Sequence, residues 1–297
     1  AIELALRFDG EIVNADSMQI YRYMDIGTAK PTLEQQARAP HHLLDVVTPD
    51  VPYDAGRYAQ EARAAALELH ERGKSVFLTG GTGLYIRAFL EGLLEAGGAD
   101  LELRQTLEQE HARALEAGDA TLLYERLAER DPEAAQAIHP HDVRRIVRAL
   151  EICERGGGAA SELRRAHGFG DRPYRSVHLT IEPGREELDA RIDAHCSHKV
   201  DAGLLQEVRA LRERGYGAEL RPLQAIGYRH MQPVVDGSDT LANALELMQR
   251  DTRRFARRQR TWLRKVPEAV LLHPDERGSI YEKVEAFLGG EATRQST

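Results

Sequence analysis

The stretch SVFLTGGTGLY, residues 75–85, decides the fold of this chain. A short apolar run is followed at once by two glycines, a threonine and a second apolar segment. This order predicts a strand, a glycine turn and the start of a helix. Glycines at such a turn let the backbone approach a ligand closely, and the N-terminus of the following helix favours negative charge there. The alternative is an ordinary tight turn in which Thr82 caps the helix.

A second strand-to-loop junction lies upstream, at EIVNAD, residues 11–16. The apolar run predicts a buried parallel strand whose carboxyl end carries Asn14 and Asp16. HHLLDVV (41–47) predicts another strand, and residues 57–72 predict a helix. Strands that alternate with helices in this way indicate a parallel α/β sheet.

The composition of the sequence changes after residue 100, where Ala, Glu, Arg and Leu dominate and runs of β-branched residues are nearly absent. We interpret residues 100–173 as a helical insertion. Strand character returns at RSVHLTIEP (175–183), and further helices and a last strand follow. The predicted domains are therefore a core formed by 1–99 and 174–290, the insertion, and a disordered tail at 291–297.

Composition limits the function classes. Of its 297 residues, 42% are hydrophobic and 30% are charged, which is the balance of a water-soluble protein. The net charge of −8 argues against a protein that coats nucleic acid nonspecifically. Neither a membrane-spanning run nor a signal peptide is evident, so we expect a cytoplasmic monomer without a membrane partner. Cys153 and Cys196 lack metal-ligand spacing and are interpreted as reduced thiols.

Asp16 follows a buried strand, where open α/β sheets bind their ligands, and it is a candidate for accepting a proton or holding a metal-bound water. Its neighbours Ser17 and Gln19 are suited to reading a base edge. A polar loop further on is a candidate phosphate site; it contains Gly27, Thr28 and Lys30. The alternative for Asp16 is a helix N-cap.

Arginines are concentrated in two helical segments. In HPHDVRRIVRALE (139–151) they suit phosphodiester contacts, although a solvated charged face is the alternative. The segment RRFARRQRTWLRK (253–265) contains no acidic residue, which disfavours an ordinary surface helix. Two adjacent helix faces carry the charge, and Trp262 adds an aromatic surface. The first face comprises Arg253, Arg257, Arg260 and Arg264, and the second Arg254, Arg258 and Lys265. Between the two segments, Tyr228 and Arg229 are candidates for stacking and for a phosphate contact; the alternative is that both cover the start of a helix.

Six stretches together resemble the tRNA dimethylallyltransferase family, in that family's order and over most of the chain. They are ADSMQIYRYMDIGTAKP, APHHLLDVV, LTGGTGLYIRAFLEGL, DPEAAQAIHPHDVRRIVRALEI, LQAIGYRHM and RRFARRQRTWLRK. The resemblance implies a P-loop NTPase-like α/β core with a helical insertion domain and a channel between them. It also implies Mg²⁺, dimethylallyl diphosphate as donor, and adenosine 37 in the anticodon stem-loop of tRNAs that read codons beginning with U as acceptor.

The resemblance also assigns residues. Asp16 matches the catalytic carboxylate and Thr82 the threonine that faces the reacting centre. The positions matching or predicted to contact tRNA are Asp16, Ser17, Met18, Gln19, Thr82, Arg104, Arg144, Arg145, Ile146, Val147, Arg148, Gln224, Ala225, Ile226, Gly227, Tyr228, Arg229, Arg257 and Arg258.

One departure from the family pattern concerns the diphosphate. The family's G-x-x-x-x-G-K-[ST] loop, which cradles phosphate and holds Mg²⁺, does not occur in the sequence. We expect a truncated chain, because the downstream sites are intact, and we expect the Mg²⁺ ligand in that loop. The alternatives are a nucleotide kinase or an adenylate prenyltransferase on the same core, and a non-catalytic RNA-binding remnant.

Overall fold

The computed structural model describes residues 1–93, 100–155, 158–167, 173–266 and 268–292. The chain divides into two compact units, of which the first is formed by Ala1–Leu90 and Pro173–Thr297 and the second by Glu91–Arg172. The insertion predicted to begin at residue 100 thus corresponds to a unit that begins at Glu91. The tail predicted at 291–297 lies outside the described residues from 293 onward, and the last helix extends through Ala292.

The first half of unit 1 is a three-stranded parallel sheet with helices around it. The strands are β1 (Gly10–Asn14), β2 (His41–His42) and β3 (Ser75–Thr79), in the order β2–β1–β3. The helices are α1 (Ile2–Arg7), α2 (Leu33–Arg38), α3 (Ala55–Glu71) and α4 (Gly83–Glu91). The predictions of strands around 11–14 and 75–79 and of a helix at 57–72 are confirmed.

β1 is the central strand, and its sequence explains why. Ile12 and Val13 are 2% and 0% exposed because both faces of a parallel strand are covered. Gly10 is needed because a Cβ there would lie 2.5 Å from the Phe77 ring on β3. Asn14 pairs with Thr79 in register, so the two strands end side by side at one edge of the sheet.

The strand predicted at 41–47 is wrong after its second residue. Leu43 and Asp45 adopt positive φ angles of 62° and 55°, which an extended strand does not allow. The chain returns to the sheet edge only at Val47, which forms a parallel bridge with Tyr21.

Unit 2 consists of five helices in its described residues, as the helical texture predicts. They are α5 (Leu101–Glu116), α6 (Leu122–Arg130), α7 (Pro132–Ala137), α8 (Val143–Glu154) and α9 (Ala160–His167). Their apolar faces meet in one core around Leu127 and Leu150, both 0% exposed. Asp131, 1% exposed, ties α7 to α9, since its carboxylate accepts hydrogen bonds from Ala134 N and from the amide and hydroxyl of Ser161.

The second half of unit 1 is mostly helical. It comprises β4 (His178–Ile181), α10 (Arg185–Asp201), α11 (Leu204–Glu213), a 3-10 helix (Arg221–Gln224), α12 (Tyr228–Val235), α13 (Leu241–Leu263), β5 (Ala269–Leu272) and α14 (Arg277–Ala292). β4 and β5 pair in parallel. The strands and long helices predicted here are confirmed, and α12 begins at Tyr228, where a helix start was the alternative. α2 was not foreseen.

Candidate functional site

The carboxyl ends of β1 and β3 bring Asp16 next to Thr82. Thr82 N donates to Ala15 O at 3.1 Å, and its hydroxyl accepts from Ser17 N at 2.9 Å. The residues on both sides of Asp16 are therefore fixed to the first turn of α4. This is the juxtaposition that the two strand-to-loop junctions predict.

The carboxylate of Asp16 is held by the turn that follows it and does not cap a helix. Oδ1 accepts from Met18 N at 2.7 Å and from Gln19 N at 3.3 Å, and residues 17–20 form a turn. Burial raises the pKa of Asp16, while the two amides and the charge of Lys199 act in the opposite direction. A half-buried carboxylate with a raised pKa is a better proton acceptor than an exposed one.

Lys199 is a member of this site that sequence analysis missed. It lies on α10, and its Nζ donates to Gly27 O at 2.7 Å. Burial lowers the pKa of this ammonium group, against the favourable charges of Cys196, Asp16 and Glu207. A single lysine within a helical segment gives no sequence signal, because its partners lie far away in the chain.

Replacing Lys199 with methionine is expected to shift the pH dependence of turnover. Asp16 must be ionised to accept a proton, so activity falls as pH falls through its pKa. Without the nearby cation the pKa of Asp16 rises further, and the acid limb of the profile moves to higher pH. A profile of kcat against pH measures this shift. Lys74→Met serves as the control, since Lys74 pairs with Asp9 at the surface. An unshifted acid limb would contradict the role.

The loop at 25–29, predicted to meet phosphate, is instead clamped by the protein itself. The carboxylate of Glu207 on α11 accepts from the amides of Asp25, Ile26 and Gly27 at 2.9, 2.8 and 3.1 Å, and from Tyr228 Oη at 2.6 Å. The anion that this loop binds is thus a side chain of the same chain.

Two further expectations about this region are wrong for the same reason. The Lys30 side chain is 3% exposed and donates to Asp25 and Asp45, each at 2.6 Å, so it is not free for phosphate. Tyr228 is 0% exposed and its ring packs against Gly27, so it cannot stack on a base. Gln19 also serves the loop, since its Nε2 donates to the carbonyls of Thr28 and Ala29.

The glycine turn between β3 and α4 is a docking site for α13. A Cβ on Gly81 would lie 2.1 Å from Gln259 Nε2, and one on Gly83 would lie 2.4 Å from the Trp262 indole. Gln259 Nε2 also donates to Gly81 O at 3.0 Å. Trp262, predicted to be an aromatic surface, instead packs on this turn. The glycines therefore serve close backbone packing as well as any ligand approach.

In unit 2, a buried carboxylate organises the predicted arginines. Glu151 is 0% exposed and accepts from Arg104 Nε at 2.8 Å, Arg148 Nη1 at 2.7 Å and Asp100 N at 2.6 Å. Although burial acts to raise it, the pKa of Glu151 is lowered by these partners. Arg104 and Arg148 are each about one third exposed and remain accessible beside this charge.

The other members of the predicted 144–148 segment divide by helix face. Arg144 is exposed, and Arg145 is 72% exposed with a 3.3 Å contact to Asp142. Ile146 and Val147, by contrast, are 2% and 3% exposed and belong to the core of unit 2. Their side chains are buried because a helix that covers a core must bury one face, and the predicted contact of the 144–148 segment with tRNA stays a prediction.

The predicted segment 224–229 is similarly mixed. Gln224 and Arg229 are exposed, Ala225 and Ile226 are half-buried, and Gly227 is buried at a φ of 97°, which favours glycine. Gln224 donates to Ala218 O, and Arg229 Nη2 donates to Asp251 Oδ2 at 2.6 Å. Arg229 alone of these side chains presents an exposed positive charge.

In the described residues, no group of three or more His, Cys, Asp or Glu side chains is arranged to hold a metal ion. The same residues include no helix long and apolar enough to cross a bilayer. Cys153 and Cys196 are free thiols, as predicted.

Comparisons with known proteins agree along nearly the whole chain. The family model described as IPP transferase matches residues 19–266. A tRNA dimethylallyltransferase of Desulfatibacillum aliphaticivorans is 45% identical over 97% of this chain and 92% of its own length. One from Desulfosudis oleivorans is 47% identical over 93% of this chain and 87% of its own length.

Solved structures give the same result. The full-length tRNA isopentenylpyrophosphate transferase from Bacillus halodurans superposes with a TM-score of 0.70 at 33% identity, covering 100% of this chain and 94% of the other. A eukaryotic dimethylallyltransferase acting on tRNA gives 0.77 at 27% identity, covering 92% of this chain and 69% of the other. The predicted P-loop NTPase-like α/β fold class is confirmed.

Proposed function

The chain belongs to the IPP transferase family, and on that basis we propose that it transfers a dimethylallyl group from dimethylallyl diphosphate to N6 of adenosine 37 in tRNAs that read codons beginning with U. The observation that carries the chemistry is the half-buried Asp16 fixed beside Thr82 at the carboxyl edge of a parallel sheet. The names of the relatives state that they act on tRNA, and this supports tRNA as the acceptor.

The reaction forms a bond between N6 of the adenine and C1 of the donor while the bond from C1 to the diphosphate oxygen breaks. An exocyclic adenine amine is a weak nucleophile, because its lone pair is delocalised into the ring. Asp16 would accept a hydrogen bond from this amine, orient it, and take its proton as the new bond forms. The leaving diphosphate carries away the electron pair of the broken bond.

Thr82 would fix the geometry of this step. Its hydroxyl accepts from Ser17 N at 2.9 Å and lies 3.2 Å from Ser17 Oγ. The target adenine must leave its stack before it reaches Asp16, at a cost of a few kcal/mol. Contacts to the tRNA backbone would offset that cost, and we assign them to the exposed side chains at Arg104, Arg144, Arg145, Arg148, Arg229, Arg257 and Arg258.

A divalent cation, proposed here as Mg²⁺, would supply charge stabilisation to the diphosphate, as is common for phosphate leaving groups. In the part of the chain that the structure describes, no group of three or more His, Cys, Asp or Glu side chains is arranged to hold this ion. We therefore assign no catalytic step to the ion. The helical unit 2 is proposed to contact the anticodon stem-loop through its arginines.

The test is prenyl transfer by the purified protein. With radiolabelled dimethylallyl diphosphate and Mg²⁺, we expect label in a tRNA with adenosine at position 37 and none in the same tRNA with guanosine there. Digestion to nucleosides should yield N6-(dimethylallyl)adenosine. Label transferred to free AMP in preference to tRNA would replace this proposal with an adenylate prenyltransferase. Binding of tRNA without any transfer would indicate a non-catalytic RNA-binding protein.

A further inference from the structure

The basic helix α13 carries positive charge on two neighbouring faces, and carboxylates from other elements approach one of them. Arg253 pairs with Asp193 of α10, while Arg260 and Arg264 both approach Glu182, the residue after β4. The segment 253–265 contains no acidic residue of its own, but other elements supply the missing carboxylates. The row of Arg253, Arg260 and Arg264 therefore joins α13 to the rest of unit 1.

The opposite situation holds on the neighbouring face. Arg250, Arg257 and Arg258 each lie three or four residues from Arg254, which places them beside it on the helix surface. Arg250 and Arg254 have side chains that are 50% and 58% exposed, and Arg257 and Arg258 are also exposed. Across the described part of the chain, no carboxylate lies within 4.0 Å of Arg257 or Arg258.

A single carboxylate, that of Asp251, pairs with Arg229, Arg250 and Arg254. Asp251 is 14% exposed and accepts from Arg229 Nη2 at 2.6 Å, with Arg250 Nε at 3.2 Å and Arg254 Nη1 at 3.5 Å. The fourth neighbour, His230 Nε2, lies at 3.2 Å. His230 Nδ1 accepts from Gly227 N, so the proton resides on Nε2 and the ring is neutral.

The balance of charge on this face is positive. Arg229, Arg250 and Arg254 share the single carboxylate of Asp251, and the exposed Arg257 and Arg258 add two further positive charges. Repulsion among cations held this close destabilises the protein unless an anion binds. Over residues 250–258 the row extends about 12 Å along the helix axis at 1.5 Å per residue. A linear array of guanidinium groups matches a chain of phosphates, which Arg binds in bidentate fashion.

We propose that Arg229, Arg250 and Arg254, gathered by Asp251, continue the Arg257–Arg258 pair into one binding face for the phosphate backbone of RNA. Arg250 and Arg254 are the new members, and Arg253, Arg260 and Arg264 are excluded from the face. The inference rests on the proposed function, which supplies tRNA as the RNA that binds there.

The experiment measures the tRNA dissociation constant against salt concentration for single variants of the whole protein. Each phosphate contact removed reduces the slope of log K against log salt by about 0.7–0.9. We expect Arg250→Ala and Arg254→Ala to lower the slope by that amount and to weaken binding at physiological salt. Arg253→Ala, on the same helix but paired with Asp193, is the matched control and should leave the slope unchanged. Thermal unfolding verifies that each variant is folded.

The outcomes separate this inference from the function on which it rests. If the wild-type protein fails to bind tRNA, the proposed function itself is wrong. If the wild type binds and Arg257→Ala lowers the slope, but Arg250→Ala and Arg254→Ala behave like Arg253→Ala, then only the extended face is refuted. Equal losses for Arg250→Ala and Arg253→Ala would also overturn it, because the two faces would then be equivalent.

Discussion

Turnover of the Asp16→Ala variant is expected to fall by about 10²–10⁴-fold, the usual effect of losing a general base. The affinity for tRNA should change little, because the role proposed for Asp16 is contact with the reacting amine and not with the phosphate backbone. Single-turnover rates with saturating tRNA and donor, together with binding measured separately, test the two parts of this expectation.

Asp16→Asn isolates the proton-accepting function. An amide oxygen can still accept from Met18 N and Gln19 N, so the turn at 16–19 persists. Burial raises the pKa of Asp16, so the ionised carboxylate is less stable in the folded than in the unfolded protein, and its charge lowers stability at neutral pH. The asparagine variant should therefore unfold at no lower temperature than the wild type at neutral pH, while turnover is lost as in the alanine variant.

The control for Asp16 is Asp50→Ala, which removes an exposed carboxylate on the same unit. It should leave both turnover and tRNA affinity unchanged. If Asp16→Ala weakened tRNA binding as much as it slowed turnover, Asp16 would be a binding residue only. If turnover were unaffected, another group would have to accept the proton.

Sequence reasoning predicted which edge of the sheet carries Asp16 and Thr82, because the determinants of that edge are local. A short apolar run ending in Asn14 and Asp16, and another ending in GGTG, each predict a strand and the loop that leaves it. Parallel strands then bring the two loops together without further information, since their carboxyl ends share an edge. Thr82 and Asp16 were found in this way.

Errors arose where a side chain's partner lies far away in the sequence. In the sequence Lys30 resembles a phosphate ligand, but in the structure it pairs with Asp45. Tyr228 resembles a stacking residue, but its hydroxyl donates to Glu207. The arginines of residues 253–265 seemed to have no acidic partner, because Asp193 and Glu182, which pair with them, belong to other elements. Local sequence predicts a charge, whereas only the tertiary structure shows whether that charge is neutralised.

The largest effect on stability is expected from Glu207→Ala. This change leaves the amides of Asp25, Ile26 and Gly27, and the hydroxyl of the buried Tyr228, without their acceptor. An unpaired donor in a buried site costs about 1–3 kcal/mol, and water can reach the more exposed of these amides. We therefore expect the free energy of unfolding in urea to fall by about 2–4 kcal/mol.

Two further variants calibrate that loss. Tyr228→Phe removes one of the four donors and should cost about 1 kcal/mol, whereas Glu213→Ala, an exposed position on the same helix, should cost less than about 0.5 kcal/mol. The clamp also supports the site, because Gln19 is bonded to the carbonyls of Thr28 and Ala29 in the clamped loop. Below its unfolding temperature, Glu207→Ala should therefore raise the KM for tRNA. A variant as stable as Glu213→Ala would show that the loop keeps its conformation without this carboxylate, and that Gln19 is positioned by the turn at Asp16 alone.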